Sequence, residues 1–297
     1  MKRQSAMERL LYPPVRLDRV RLAGALNGKT ILITGASSGI GKSLALMLAD
    51  LPVSLVLVAR RADKLREVQA EVARRGVEAS IYPADLRNTV ELEGLIAYLH
   101  SLPGGLDVLV SNAGLSIRRS VFQSLDRFHD VTRTTAINYL APVQLILAMI
   151  PLLAKSQGQI LNVSTVNALL TPVPYWAAYQ GSKSALDHWL RAAAPELRAH
   201  GIAVASVYLP LVRTPMIEPT PGYRDLPAMS AEQAAQVIAR LFYTRRRVYK
   251  PWWLIFGQWA SLLFGGIWER RITGKLRREA AISGQPRDGD DGKEGRR

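Results

Sequence analysis

The sequence of 297 residues contains no cysteine, which excludes disulfides, thiolate metal sites and a cysteine nucleophile. Histidine is scarce: His100, His129, His188 and His200 are scattered without metal-ligand spacing, so no metal site is expected. Acidic residues are outnumbered, 24 against 39 Lys and Arg, for a formal net charge of +15. Such an excess suits polyanionic partners: anionic lipid, nucleic acid or a phosphorylated cofactor. No aromatic-basic nucleic-acid module is recognisable, so a nucleic-acid partner is not expected. The first residues, MKRQSAMERLLYPP, lack a continuous apolar core and a cleavage site, and no signal peptide is expected.

What is present is a regular alternation of strand and helix patterns. Residues 30–34 form a short apolar run ending in glycine, and 40–49 have helical spacing. VSLVLV, residues 53–58, is a continuous apolar run suited to a strand buried on both faces. An amphipathic helix over 63–75 puts Leu65, Val68 and Val72 on one face and stops at Gly76. Strands are predicted at 79–82, 106–110, 159–163 and 203–208, and helices at 90–100, roughly 124–155, 177–199 and 231–242. This order predicts an α/β fold, a doubly wound parallel sheet of the Rossmann type, forming a single domain over 29–243. A basic extension (1–28) precedes it. An apolar, Trp-rich, basic-flanked segment (244–282) follows, and then a tail (283–297) whose composition predicts disorder.

Two motifs carry chemistry. TGASSGIG, Thr34 to Gly41, lies between the first strand and helix, where backbone N–H groups and a helix N-terminus can hold a pyrophosphate. Its glycines, Gly35, Gly39 and Gly41, allow close approach, Ser37 and Ser38 add hydroxyls, and Ile40 opens the helix. The spacing is not that of a P-loop, so nucleotide hydrolysis is not supported. After the second strand stand Arg60 and Arg61 rather than an acid. This favours NADPH over NADH, with Arg60 on the 2′-phosphate. Asp85 and Leu86, after the third strand, are candidates for the adenine pocket. Downstream, Tyr179 and Lys183 share one helix face, and an ammonium beside a phenol is expected to stabilise the phenolate and lower its pKa, which suits proton transfer to a carbonyl or from an alcohol.

Taken together, these motifs resemble the short-chain dehydrogenase/reductase family over residues 28 to about 243. Asn112, Ala113 and Gly114 resemble the end of its N-N-A-G signature. Asn138 lies in a segment resembling that of its structural-catalytic asparagine, and Ser164, Thr165, Tyr179 and Lys183 resemble its Ser-Tyr-Lys core. The resemblance implies that Tyr179 transfers the proton and that Lys183 tunes it and binds the nicotinamide ribose. It also implies that Ser164 or Thr165 orients the substrate oxygen, that Asn138 holds a relay water, and that Asn112 frames the cofactor pocket. Pro210 and Val212 would contact the cofactor, and Thr214 its nicotinamide carboxamide. A homo-dimer or tetramer is implied too. Two departures stand out: a threonine replaces the second serine of the usual pair, and the segment after Pro210 lacks the usual glycine.

Residues 251–268, PWWLIFGQWASLLFGGIW, carry no charge, hold four of the six tryptophans and lie between basic clusters. The pattern predicts an in-plane interfacial helix, or a re-entrant hairpin turning at Gly265 and Gly266. The basic flanks suit the cytoplasmic face of an anionic membrane. The resulting expectation is a cytoplasmic, membrane-associated, NADPH-dependent reductase of a small lipidic carbonyl, resembling the branch that acts on fatty-acyl-derived carbonyls. The alternative is a catalytically silent NADP(H)-binding sensor or scaffold at a membrane.

Overall fold

The computed structural model describes residues 5–218, 220–223 and 225–283. The elements of the first unit, which ends at Leu254, run α1 (Ala6–Leu11), α2 (Arg19–Leu26), β1 (Lys29–Thr34), α3 (Gly39–Leu48), β2 (Val53–Ala59), α4 (Ala62–Ala73), β3 (Glu78–Pro83), α5 (Thr89–His100) and β4 (Val108–Ser111). They continue with α6 (Phe128–Thr135), α7 (Ala141–Lys155), β5 (Gln159–Thr165), α8 (Ala177–Ala199), β6 (Ala203–Leu209), β7 (Val212–Arg213), β8 (Met229–Ser230), α9 (Ala231–Thr244) and β9 (Val248–Tyr249).

Seven strands pair in parallel in the order β3-β2-β1-β4-β5-β6-β9. Alternate residues feed two cores. Ile31, Ile33, Leu55 and Leu57 pack toward α2, α3, α4 and α9. Leu32, Val56 and Val58 pack toward α5, α7 and α8. Because both faces are covered, the central strands β2 and β4 are almost wholly apolar, which is why 53–58 shows no alternation. The strand order reverses between β1 and β4, and their carboxyl ends open the crevice where such sheets bind ligands.

Three local features shape that crevice. The helix predicted over roughly 124–155 is observed as a continuous run from Phe128 to Lys155, preceded by a 3-10 turn (Val121–Ser124) and containing a π turn (Ala136–Leu140) between α6 and α7 that carries the buried Asn138. Strand β5 runs two residues beyond the predicted 163, bringing Ser164 and Thr165 into the sheet. β7 and β8 form a separate parallel pair that brackets residues 214–228.

The basic N-terminal extension contributes Tyr12, Leu22 and Leu26 to the core. Residues 248–249, placed by sequence in the C-terminal segment, are the seventh strand, and Leu254 is fully buried against Val166 and Tyr208. The second unit begins at Ile255. There α10 (Leu254–Ser283) runs unbroken through Gly265 and Gly266, so the re-entrant hairpin is corrected to a continuous helix. The expected tail beyond Ser283 lies outside the described residues.

Candidate active site

The loop after β1 is shaped by what side chains would strike. Gly35 has φ +70°, and a Cβ there would meet the Asn112 amide nitrogen at 2.9 Å. Gly41 is buried beneath the loop rather than on the cavity wall. A Cβ on it would clash with the Gly35 carbonyl, so its role is to let α3 pack closely. Thr34 ties the two strand ends together: its hydroxyl accepts from the N–H groups of Asn112 and Ala113, both at 3.0 Å. The Asn112 side chain donates to the Thr34 carbonyl at 2.9 Å. Ser38 is the N-cap of α3 but makes no side-chain cap bond, which leaves the first-turn N–H groups for an anion. The cradle fits a dinucleotide pyrophosphate.

One cavity of about 1010 Å³ runs from this loop across the carboxyl ends of the strands. Gly35, Ser37, Ser38, Gly39, Ile40, Arg60, Asp85, Leu86, Asn112, Ala113 and Gly114 line it, as do Ser164, Thr165, Tyr179, Lys183, Pro210, Val212 and Thr214. At the β2 end the two arginines separate. Arg60 extends toward Asp85, 3.9 Å away, and its side chain is 61% exposed. Arg61 instead donates to the hydroxyls of Ser37 and Ser38 at 3.4 and 3.2 Å. Asp85 is held by Arg87, whose Nε donates to it at 2.9 Å, and this pairing keeps its carboxyl below the ordinary range. Sequence reading named Arg60 and Arg61 together but gave the 2′-phosphate to Arg60, and it did not name Arg87.

On α8, Tyr179 and Lys183 lie one turn apart on the cavity wall. Burial pushes the Tyr179 phenol up to about 12, opposed by a hydrogen bond from the Thr165 side chain. The lowering expected from the Lys183 ammonium is overturned, because burial dominates; the phenol is neutral at pH 7 and can act as an acid. Thr165, rather than Ser164, is the hydroxyl engaged with Tyr179. Ser164 Oγ is buried with no partner among the described residues. Lys183 Nζ donates to the Val163 carbonyl at 3.0 Å, and burial lowers it to about 8. Asn138 is clamped: its Oδ1 accepts from the Leu115 N–H at 2.9 Å, and its Nδ2 donates to the Leu115 carbonyl and to Ser182 Oγ. The π turn thus fixes the strand-β4 exit loop beside Lys183.

Aromatic rings that sequence reading did not single out complete the wall. Trp176 stands edge-on to Tyr179 with ring centroids 6.1 Å apart. Tyr223, from the 214–228 segment, stacks on Trp176 at 5.6 Å and 7°. Tyr175 adopts φ 70°, a left-handed conformation that is strained for a bulky residue. The Arg119 N–H holds its carbonyl at 2.8 Å, and the Arg118 guanidinium lies 4.6 Å from its ring.

The short chain dehydrogenase family model matches residues 29–222. The chain is 42% identical over 214 residues to a fatty acyl-CoA reductase of Acinetobacter baylyi, covering 72% of each chain. It is 40% identical over 221 residues to a fatty acyl-CoA reductase of Mycobacterium tuberculosis, covering 74% and 75%. Among solved structures, a short-chain dehydrogenase of Sphingobium yanoikuyae in complex with NADPH aligns with TM-score 0.68 at 25% identity, covering 88% of this chain and 98% of the other. A metagenomic short-chain oxidoreductase in complex with NADP aligns with TM-score 0.64 at 30% identity, covering 74% and 92%. The chain belongs to the short-chain dehydrogenase/reductase family and is an NAD(P)-dependent oxidoreductase.

Proposed function

We propose that this protein reduces the carbonyl of a long-chain, fatty-acyl-derived substrate, using NADPH in preference to NADH and Tyr179 as the proton donor. The carrying observation is the Tyr179 phenol, neutral and hydrogen-bonded to Thr165, in one cavity with a phosphate cradle at its other end. Gly35, Ser37, Ser38, Gly39 and Ile40 would hold the dinucleotide, with Arg61 and Arg60 toward a 2′-phosphate and Thr214 toward the nicotinamide. When bound, the dinucleotide supplies hydride. Thr165 orients the substrate oxygen, Tyr179 donates its proton to that oxygen, and the Lys183 ammonium stabilises the resulting phenolate. Lys183 uses one of its three N–H donors on Val163, leaving the others for the cofactor ribose and the relay.

The relatives named fatty acyl-CoA reductase support an acyl-derived carbonyl, an aldehyde or thioester. Long, exposed apolar side chains on α10, among them Phe256, Trp259, Leu262 and Trp268, support peripheral contact with the cytoplasmic face of a membrane. Arg270, Arg271, Lys275, Arg277 and Arg278 follow them on the same helix. Leu140 and Leu147, exposed at one end and along the face of α7, support a homo-dimer or tetramer. The test is titration with NADPH and NADH, followed by oxidation of the cofactor with aldehydes of increasing chain length. The expected result is NADPH preference with kcat/KM rising with chain length. Equal use of both cofactors, or no dependence on length, contradicts the reading.

A further inference from the structure

Between β4 and α6 the chain turns large apolar side chains outward. Val121, Phe122, Leu125 and Phe128 are 66%, 87%, 83% and 71% exposed. Single exposed apolar residues are ordinary, but four within eight positions mark an interaction surface. The segment presenting them is built. The Ser120 hydroxyl accepts from the Phe122 N–H at 3.3 Å, Ser124 Oγ donates to the Ser120 carbonyl at 2.8 Å, and the Arg127 N–H donates to the Ser124 carbonyl at 3.0 Å.

The charge around these side chains is net positive. Residues 118–133 hold four arginines against two aspartates. One of those aspartates, Asp130, is buried and shared by three of the arginines, Arg119 and Arg133 each at 2.8 Å and Arg127 at 3.6 Å. Arg118, Arg119 and Arg133 also line the substrate cavity, whose wall further carries the partly exposed Val173, Met216 and Leu226. An apolar tip, a basic ring and the cavity mouth therefore adjoin.

We propose that residues 121–128 form a membrane-contacting surface that seats the cavity mouth on an anionic phospholipid bilayer. Phe122, Leu125 and Phe128 enter the acyl boundary, and the arginines meet lipid phosphates. A symmetric contact with a second copy would set this arginine ring against itself, whereas a bilayer supplies both apolar depth and negative charge. The inference rests on the reductase reading and extends it: a lipidic carbonyl passes from bilayer to cavity without crossing water. The surface belongs to the first unit, whereas α10 from Ile255 onward belongs to the second.

Because the chain has no cysteine, Phe122→Cys gives a single labelling site for an environment-sensitive fluorophore, with Trp259→Cys on α10 as a second, separate probe. Both labelled full-length proteins are titrated with phosphatidylcholine vesicles with and without phosphatidylserine. A cooperative thermal melt like that of the unlabelled wild type serves as the check that each is folded. The expected result is a blue-shifted, brighter signal at position 122, quenched by nitroxide-labelled lipid. Omitting phosphatidylserine should raise the half-saturating lipid about tenfold or more, since each basic residue near an anionic surface adds about 1 kcal/mol. A silent probe at 122, whether or not the probe at 259 responds, overturns the surface. A signal that grows with protein concentration in the absence of lipid also overturns it, in favour of a second copy. Continued NADPH oxidation by long-chain aldehydes with a silent 122 probe leaves the reductase reading standing. A lipid-dependent 122 signal without turnover of any carbonyl retains the surface and removes that reading.

Discussion

The Glu8 carboxylate accepts a hydrogen bond from the Arg213 guanidinium across 205 positions of sequence. It also accepts from the Ala228 N–H at 3.2 Å and from the Ser5 N–H at 3.0 Å. Arg213 and Ala228 flank the segment carrying Tyr223, so a helix that precedes the matched family region holds both feet of the cavity cover. Glu8→Ala should lower unfolding stability by about 2 kcal/mol, the cost of stranding buried donors. It should also raise KM for the carbonyl substrate more than for NADPH. Burial pushes the Glu8 carboxyl up, but the Ala228 and Ser5 donors and Arg213 outweigh it, and the net position is below the ordinary value. A depressed carboxyl contributes stability above its unfolded pKa and loses it as pH falls through the folded one. Thermal melts should therefore show the wild-type advantage at neutral pH and its disappearance in acid.

Lys183 carries the opposite sign. Burial takes it from an ordinary 10.5 to about 8. That fall corresponds to about 3 kcal/mol of unfavourable burial. The cost is fully present below pH 8 and fades as pH rises toward 10.5, where the unfolded state also loses its proton. Lys183→Met should abolish turnover yet raise stability at pH 7 by up to about 3 kcal/mol, with the gain narrowing above pH 8. Wild-type reduction should decline above about pH 8 as the ammonium is lost. A Lys183→Met protein less stable at pH 7 than at pH 10, relative to wild type, contradicts this assignment.

Much of this arrangement is legible from residue patterns, and the exceptions have physical reasons. Continuous apolar runs such as 53–58 announce strands covered on both faces, and the four-residue spacing of Tyr179 and Lys183 places them on one helix face. The π turn at Asn138 is not legible, because AINYL reads as helix and the turn engages Leu115, 23 positions away. β9 is two residues in a basic stretch, too short for any period, and exists through pairing with Ser206 and Val207. The role of Glu8 depends on a partner 205 positions off, beyond any local pattern. That Ser164 and Thr165 both lie in β5 is not legible, because the apolar run ends at Val163 and the strand continues past it.

The two arginines after β2 should separate by cofactor. Arg61 reaches Ser37 and Ser38 at the phosphate loop, whereas Arg60 leans toward Asp85. Arg61→Ala should raise KM for NADPH about tenfold or more, the worth of a lost charge-assisted hydrogen bond, and leave NADH nearly unchanged. Arg60→Ala should have a smaller effect. Steady-state kinetics with both cofactors decide it. Equal losses for NADPH and NADH in Arg61→Ala would remove that residue from recognition of the 2′-phosphate.

Removing residues 255–297 takes away the exposed Trp259, Leu262, Phe264 and Trp268 while leaving the compact unit to Leu254. The truncated protein should bind phosphatidylcholine–phosphatidylserine vesicles more weakly than the full chain, keeping only the contact through residues 121–128, and should retain turnover of short soluble aldehydes. Unchanged vesicle affinity would assign that helix to a protein interface instead.

Proton delivery by Tyr179 is the centre of the account, and Tyr179→Phe tests it most directly, because it removes the hydroxyl while keeping the ring against Trp176. NADPH affinity, read from cofactor fluorescence, should stay within about twofold of wild type, while kcat for long-chain aldehyde reduction falls by about a hundredfold or more, the scale of a lost general acid. Retained turnover in Tyr179→Phe would contradict the account.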